Sequence, residues 1–161
     1  AVNWAVGQKI TAGKSATAFA PNDACTRAQA VTFLWRAAGS PEPKATSTVF
    51  TDVAKDSYYY KAVLWAVENG ITNGATETTF APNATCSRSQ IVTFLYRSQK
   101  SPEATAENPF TDVKAGAFYE NAVLWAVKEN ITTGASATTF DPAGSCTRGQ
   151  IVTFLFRCMG K

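Results

Sequence analysis

The chain contains no histidine among its 161 residues. That removes the side chain whose ordinary pKa lies nearest neutrality, and with it the usual general base. Histidine-dependent catalytic triads and histidine-based zinc sites are excluded. Charge of one sign is also scarce. The net charge is +3 and no two basic residues are adjacent, too mild for a nucleic-acid footprint. No run of about 20 apolar residues exists, so no segment reads as a membrane-spanning helix. No signal peptide is visible either, so a secreted chain would already have lost it. No paired-carboxylate motif stands out, and no catalytic residue, metal ligand set or cofactor motif is nominated.

What is present is apolar and repetitive. Hydrophobic residues make up 45% of the chain, with ten Phe, five Tyr and four Trp. Trp4, Trp65 and Trp125 stand 61 and 60 residues apart, and Cys25, Cys86 and Cys146 keep that spacing. The period divides the chain into repeats 1–39, 50–99 and 110–161, joined by Pro-, Ser- and Thr-rich linkers 40–49 and 100–109. Each linker leads into "FTDV", at Phe50 and Phe110. The first repeat begins midway through its unit, at "AVNWAV", so a preceding segment is expected.

Each repeat reads as helix, polar loop, helix. In "SYYYKAVLWAVENG" the residues Tyr59, Ala62, Val63, Ala66 and Val67 fall on one helical stripe. Asp56 or Ser57 is the expected cap, and Asn69 with Gly70 the left-handed stop. The loop "ITNGATETTFAPNAT" allows a short strand or turn near Phe80. The second helix starts after Ser87, which with Gln90 fits a capping box, as do Thr26 with Gln29 and Thr147 with Gln150. From Ile91 to Tyr96 it is apolar on almost every side, so it belongs inside an assembly. Three such helices predict an all-α fold around a central three-helix bundle, with the amphipathic helices outside.

Arg27, Arg88 and Arg148 fall at the first position of these inner helices. A cation there typically costs about 0.3–1 kcal/mol against the helix dipole. An anion bound by free first-turn amides and a forked guanidinium would offset it. A structural ion pair with Asp52 or Asp112 is the alternative. The tryptophans read as core, or as walls on which a sugar ring stacks. Gly13, Gly74 and Gly134 read as positive-φ turns, as points of close ligand approach, or as both. The cysteines before the caps read as small buried hydrophobes. Three equivalent positions cannot all pair with one another, although Cys158 could join one of them. A trigonal thiolate site would need the three to meet on an axis, whereas their place beside the grooves puts them at the periphery. A thioester from a cysteine to the glutamine four residues on is a remote alternative.

The combination "FTDV", "WAVENGI", "F-x-P" and the tetrapeptides "TRAQ", "SRSQ" and "TRGQ" resembles the S-layer homology repeat of bacterial surface proteins. The resemblance runs almost end to end. It implies a pseudo-threefold, three-pronged spindle of three repeats, located at the bacterial cell surface, in the cell wall or S-layer. It implies a non-covalent anchor that binds secondary cell-wall polysaccharide attached to peptidoglycan, often through a pyruvylated sugar whose carboxylate meets the tetrapeptide arginine. Carried over by motif, the ligand-binding residues are Arg27, Arg88 and Arg148, with Thr26, Ser87 and Thr147 beside them. Gly13, Gly74 and Gly134 would open the grooves, and Trp4, Trp65 and Trp125 would wall them. The family's acidic fourth tetrapeptide residue is Gln here, and Gly149 replaces Ala in the third copy. The first repeat lacks half its outer helix and the third has Gly149 at its inner-helix start, whereas the second has neither change, so the groove around Arg88 is expected to be the best preserved, unless each groove is built from several repeats. A protein–protein or self-assembly module using the same grooves is the competing reading. An enzyme is disfavoured by the missing histidine.

Overall fold

The computed structural model describes residues 1–160. It contains α1 (Val2–Gly7), α2 (Arg27–Ala37), α3 (Tyr60–Glu68), α4 (Arg88–Ser98), α5 (Glu120–Lys128) and α6 (Arg148–Met159). No strand forms among the described residues, so the fold is all-α, as the sequence implies. Phe80 lies in an irregular loop, and strand-like pairing among the described residues is limited to three isolated antiparallel bridges near the helix caps.

The inner helices α2, α4 and α6 begin where the capping boxes place them. The Thr26 hydroxyl accepts the Gln29 N–H at 3.2 Å, and Gln29 Oε1 accepts the Thr26 N–H at 3.1 Å. Ser87 with Gln90 and Thr147 with Gln150 repeat the reciprocal pair. Ile91, Val92, Phe94 and Leu95 are buried, as their all-round apolarity requires. The three inner helices touch one another.

The outer helices depart from the sequence reading at both ends. Helix α3 starts at Tyr60, with Tyr59 as an N-cap that makes no side-chain bond, so neither Asp56 nor Ser57 caps it. The Ser57 hydroxyl instead donates to the Ala54 carbonyl at 2.7 Å, and the Ser57 carbonyl accepts the Tyr60 N–H. A local turn has taken the capping group. At the far end only Gly70 is left-handed, at φ 66°, while Asn69 keeps φ −93°. The matching positions Lys9 and Asn130 hold φ 58° and 56°. The reversal lets the following isoleucine bond back into the helix (Ile71 N–H to Ala66 at 2.8 Å) and bury completely, which offsets the backbone cost. The buried face is also rotated: Leu64 and Trp65 are inside and Val67 is 41% exposed.

The rotation follows from what the outer helices pack on. Helix α3 lies on α2, α5 on α4, and α1 on α6. Each outer helix thus covers the inner helix of the preceding repeat, and α1 on the last repeat closes the ring. Helices this short are not stable alone and depend on that packing. The first linker is fastened across α3: the Lys44 N–H meets the Glu68 carboxylate at 3.0 Å, and the Tyr60 hydroxyl donates to Thr46 at 3.1 Å.

The cysteines correct another expectation. The Cys25 N–H donates to the Cys146 carbonyl, Cys86 to Cys25, and Cys146 to Cys86, at 2.8, 2.8 and 2.9 Å. A closed ring of three such bonds surrounds an axis, so these residues sit at the centre and not at the groove periphery. Cys25, Cys86 and Cys146 are fully buried free thiols. Burial pushes Cys25 and Cys146 up to about 12, and pushes Cys86 up as well. A neutral thiol is a poor nucleophile, and among the described residues the three thiols form no group placed to hold a metal ion. The thioester alternative fails as well, because Gln29, Gln90 and Gln150 are engaged in their capping boxes.

Arginine clefts as the candidate functional site

The pre-helix segments pair around the axis, so the start of each inner helix is pressed against the loop of the next repeat. The Arg27 N–H donates to Ala84 and the Ala28 N–H to Pro82, at 2.9 and 3.0 Å. Arg88 and Ser89 donate to Gly144 and Pro142, and Arg148 and Gly149 to Asp23 and Pro21. The third amide of each helix goes to its own cap. The first-turn amides expected to hold an anion are therefore already occupied by the neighbouring repeat.

The guanidinium groups are placed by the same loops. Arg27 Nε donates to the Phe80 carbonyl at 2.9 Å, Arg88 Nε to Phe140 at 2.8 Å, and Arg148 Nε to Phe19 at 2.9 Å. Each cation lies over two rings: Phe80 and Phe94 for Arg27, Phe140 and Phe154 for Arg88, Phe19 and Phe33 for Arg148, at 4.8–5.9 Å. Ring faces carry partial negative charge and attract a cation by about 0.5–2 kcal/mol each. This offsets the helix-dipole cost without an acid. All three arginines are at least 94% buried, and in each Nη2 is enclosed without a hydrogen-bond partner. A buried guanidinium nitrogen with no acceptor carries a desolvation cost that a ligand oxygen would relieve.

Asp52 and Asp112 are not ion-pair partners of these arginines. The Asp52 carboxylate accepts the Phe80 and Ala81 N–H groups at 2.8 and 2.7 Å, and Asp112 accepts those of Phe140 and Asp141 at 2.8 Å. Ala81 and Asp141 are left-handed, at φ 56° and 59°, and the carboxylate holds that strained turn. The aspartate thus fixes the loop whose carbonyl fixes the arginine. Partial burial pushes the Asp112 carboxyl up, but the two N–H bonds and the Arg88 charge outweigh it and leave the group below its ordinary value.

Two clefts open beside these arginines. One, of about 490 Å³, contains Arg27, Asn73, Gly74, Gln90, Thr93, Phe94, Arg97 and Phe118. The other, of about 540 Å³, contains Arg88, Thr133, Gly134, Thr147, Gln150, Thr153, Arg157 and, from the first repeat, Val2, Pro21 and Asn22. Neither is lined by a carboxylate. Each joins residues of three repeats.

Residues 1–31, 49–92 and 109–152 match the S-layer homology domain family, one match per repeat. The chain belongs to the S-layer homology domain family. It is 30% identical to an endoglucanase of Bacillus sp. (strain KSM-635) over 149 residues, which cover 89% of this chain and 16% of that enzyme. It is 34% identical to a surface-layer 125 kDa protein of Lysinibacillus sphaericus over 114 residues, covering 70% and 10%. A cell surface protein of Thermoanaerobacter kivui is 27% identical over 121 residues, covering 72% and 16%. The chain thus spans no more than 16% of the length of these relatives. The family and the surface proteins among its relatives make this S-layer homology domain a cell-surface anchoring module.

Other residues nominated from sequence are distributed differently. Thr147 lines the Arg88 cleft, and Gly74 and Gly134 line theirs. Gly74 is left-handed at φ 94°, and an added Cβ would fall 2.5 Å from the Phe50 ring, so packing alone demands glycine there. Gly13 has the same hand at φ 88°. Trp65 and Trp125 are buried; Trp4 packs edgewise on Phe156 and Trp125 at a tilt on Tyr96, both on inner helices. None of the three tryptophans lines either arginine cleft. The exposed aromatic side chain at a cleft rim is Phe118, 64% exposed, and its counterpart Tyr58 reaches Thr26. Sequence reasoning missed both; the signal was an aromatic residue just ahead of an outer helix, where a buried stripe has not yet begun.

Proposed function

We propose that this S-layer homology domain anchors its parent protein non-covalently to the bacterial cell wall by binding an anionic, pyruvylated secondary cell-wall polysaccharide in the clefts between repeats. One observation carries the reading: three buried guanidinium groups each keep a nitrogen without an acceptor, and those of Arg27 and Arg88 stand at clefts lined by arginine, threonine and glutamine and by no acid. A carboxylate oxygen of the ligand would complete each arginine, with a charged hydrogen bond of about 1.5–3 kcal/mol. Thr147, its counterparts Thr26 and Ser87, and the nearby glutamines would bond sugar hydroxyls. Phe118 offers a ring for a sugar face to stack on. Gly13, Gly74 and Gly134 shape the turns at the groove edge. The tryptophans hold the outer helices in place and do not touch the sugar.

The chain acts by binding and not by catalysis, without a cofactor or metal, and at the outer face of the cell. Incubation with wall polysaccharide releases no new reducing ends. A pull-down on purified cell-wall sacculi tests the anchor, with and without acid extraction of the polysaccharide. Retention on intact sacculi and loss after extraction, or after chemical removal of pyruvate, is expected. Equal retention on extracted sacculi overturns the proposal and favours a protein partner.

A further inference from the structure

A second cation stands in both arginine clefts. The inner helices share the pattern Gln, three on Thr, four on Arg: Gln29–Thr32–Arg36, Gln90–Thr93–Arg97 and Gln150–Thr153–Arg157. Offsets of three and seven place these side chains on one helical face. In two grooves that face is seen to line the cleft, with Arg97 in the cleft of Arg27 and Arg157 in the cleft of Arg88. The seven residue steps from glutamine to arginine span about 10 Å of helix. The buried arginine comes from the neighbouring repeat at the capped end, and the second arginine stands two turns further along.

The structural work of the second arginine uses one nitrogen. Arg97 Nη1 donates to the Ile71 carbonyl at 3.2 Å, Arg157 Nη1 to Ile131 at 3.0 Å, and Arg36 Nη1 to Ile10 at 3.2 Å. No carboxylate pairs with any of them among the described residues, where the ion pairs are Lys14–Asp23 and Lys61–Glu42. A lone carbonyl bond would be served by any donor. A guanidinium keeps further donors for a planar oxyanion after making that bond, which an ammonium does less well.

We propose that Arg97 and Arg157, with Arg36 in the equivalent place, form a second anion subsite, so that each groove reads two acidic groups carried on successive sugars. This rests on the anionic-polysaccharide reading above and narrows its ligand class. The polymer would carry an acidic substituent at one sugar and a second acid, such as a uronic acid carboxylate, at the next. A span of about 10 Å along the helix suits two linked rings.

The test uses synthetic probes and calorimetry on the whole chain. The probes are a pyruvylated hexosamine, its disaccharide with a neutral second ring, and its disaccharide with a uronic acid as the second ring. The intact chain should bind the uronic acid disaccharide about tenfold more tightly than the neutral one, the scale of one charged hydrogen bond. The combined variant Arg36→Gln, Arg97→Gln and Arg157→Gln should bind both disaccharides alike while still binding the monosaccharide. The matching Lys variant should regain only part of the difference. Binding of the monosaccharide with no gain from the second acid in the intact chain overturns this inference and leaves the proposed function standing. Failure of all three probes overturns both. The comparison of disaccharides on the intact chain needs no variant, so misfolding of the Gln variant does not shield the inference.

Discussion

The clefts of Arg27 and Arg88 follow one plan and differ at the rim. Their floors match residue for residue: an arginine between two phenylalanine rings, then Gln, Thr and a second Arg along the next inner helix. The rims do not match. Phe118 stands over the Arg27 cleft, while Val2, Pro21 and Asn22 edge the Arg88 cleft. The floor comes from two neighbouring repeats and the rim from the third. Completeness of a groove therefore cannot be assigned repeat by repeat. The intact second repeat does not make the Arg88 groove the most complete.

Removing the shared floor should have the largest effect. Arg27→Ala and Arg88→Ala each lose a charged hydrogen bond and two ring contacts, and should lower stability by about 2–4 kcal/mol in urea unfolding. In whatever fraction folds, calorimetry should show binding lost at that cleft alone. Equal effects of Arg27→Ala, Arg88→Ala and Arg148→Ala on binding would show that rims do not matter.

Next in size is the loop that seats the arginine. Asp112→Asn should cost about 1–2 kcal/mol by weakening two charge-assisted bonds. Asp112 titrates below its ordinary value in the folded chain, so its contribution is fully present above the unfolded value of 3.8 and is lost as pH falls through the folded one. The parent chain should thus lose stability in acid more steeply than Asp112→Asn, as read by thermal melts between about pH 5 and pH 2.

A smaller effect separates the rims directly. Phe118→Ala should weaken sugar binding in the Arg27 cleft by about 0.5–1.5 kcal/mol and leave the Arg88 cleft unchanged. A loss shared by both clefts would mean that the ring acts through the fold and not by stacking.

Gly149→Ala should matter least. Glycine at the second position of α6 leaves its N–H 2.8 Å from Pro21, and an added Cβ would stand 3.0 Å from the same oxygen. Ala28 and Ser89 occupy the matching positions with 3.0 Å bonds, so a small shift accommodates the methyl group. Stability should change by less than about 0.5 kcal/mol, because helix propensity and crowding oppose each other.

The repeat period, the six helices and the three capping boxes were legible in the chain because each rests on residues within one or two helical turns. Burial of the inner helices was legible too, since no face of Ile91–Tyr96 is polar enough for water. The outer helices were less so. Ser57 had two nearby partners to choose between, and Val67 lost its place in the core to Trp65, because the packing partner belongs to another repeat. What the sequence could not specify is the cyclic offset, by which each helix start meets the next repeat's loop and each outer helix covers the previous repeat's inner helix. That offset puts the cysteines on the axis and gives the first-turn amides to neighbouring carbonyls. It also seats the arginines on rings 50 or more residues away, and on Phe19 across nearly the whole chain for Arg148. Local spacing fixed which side chains were available. Only closure of the ring decided which of them share a cleft, because those contacts are made between segments that no local pattern connects.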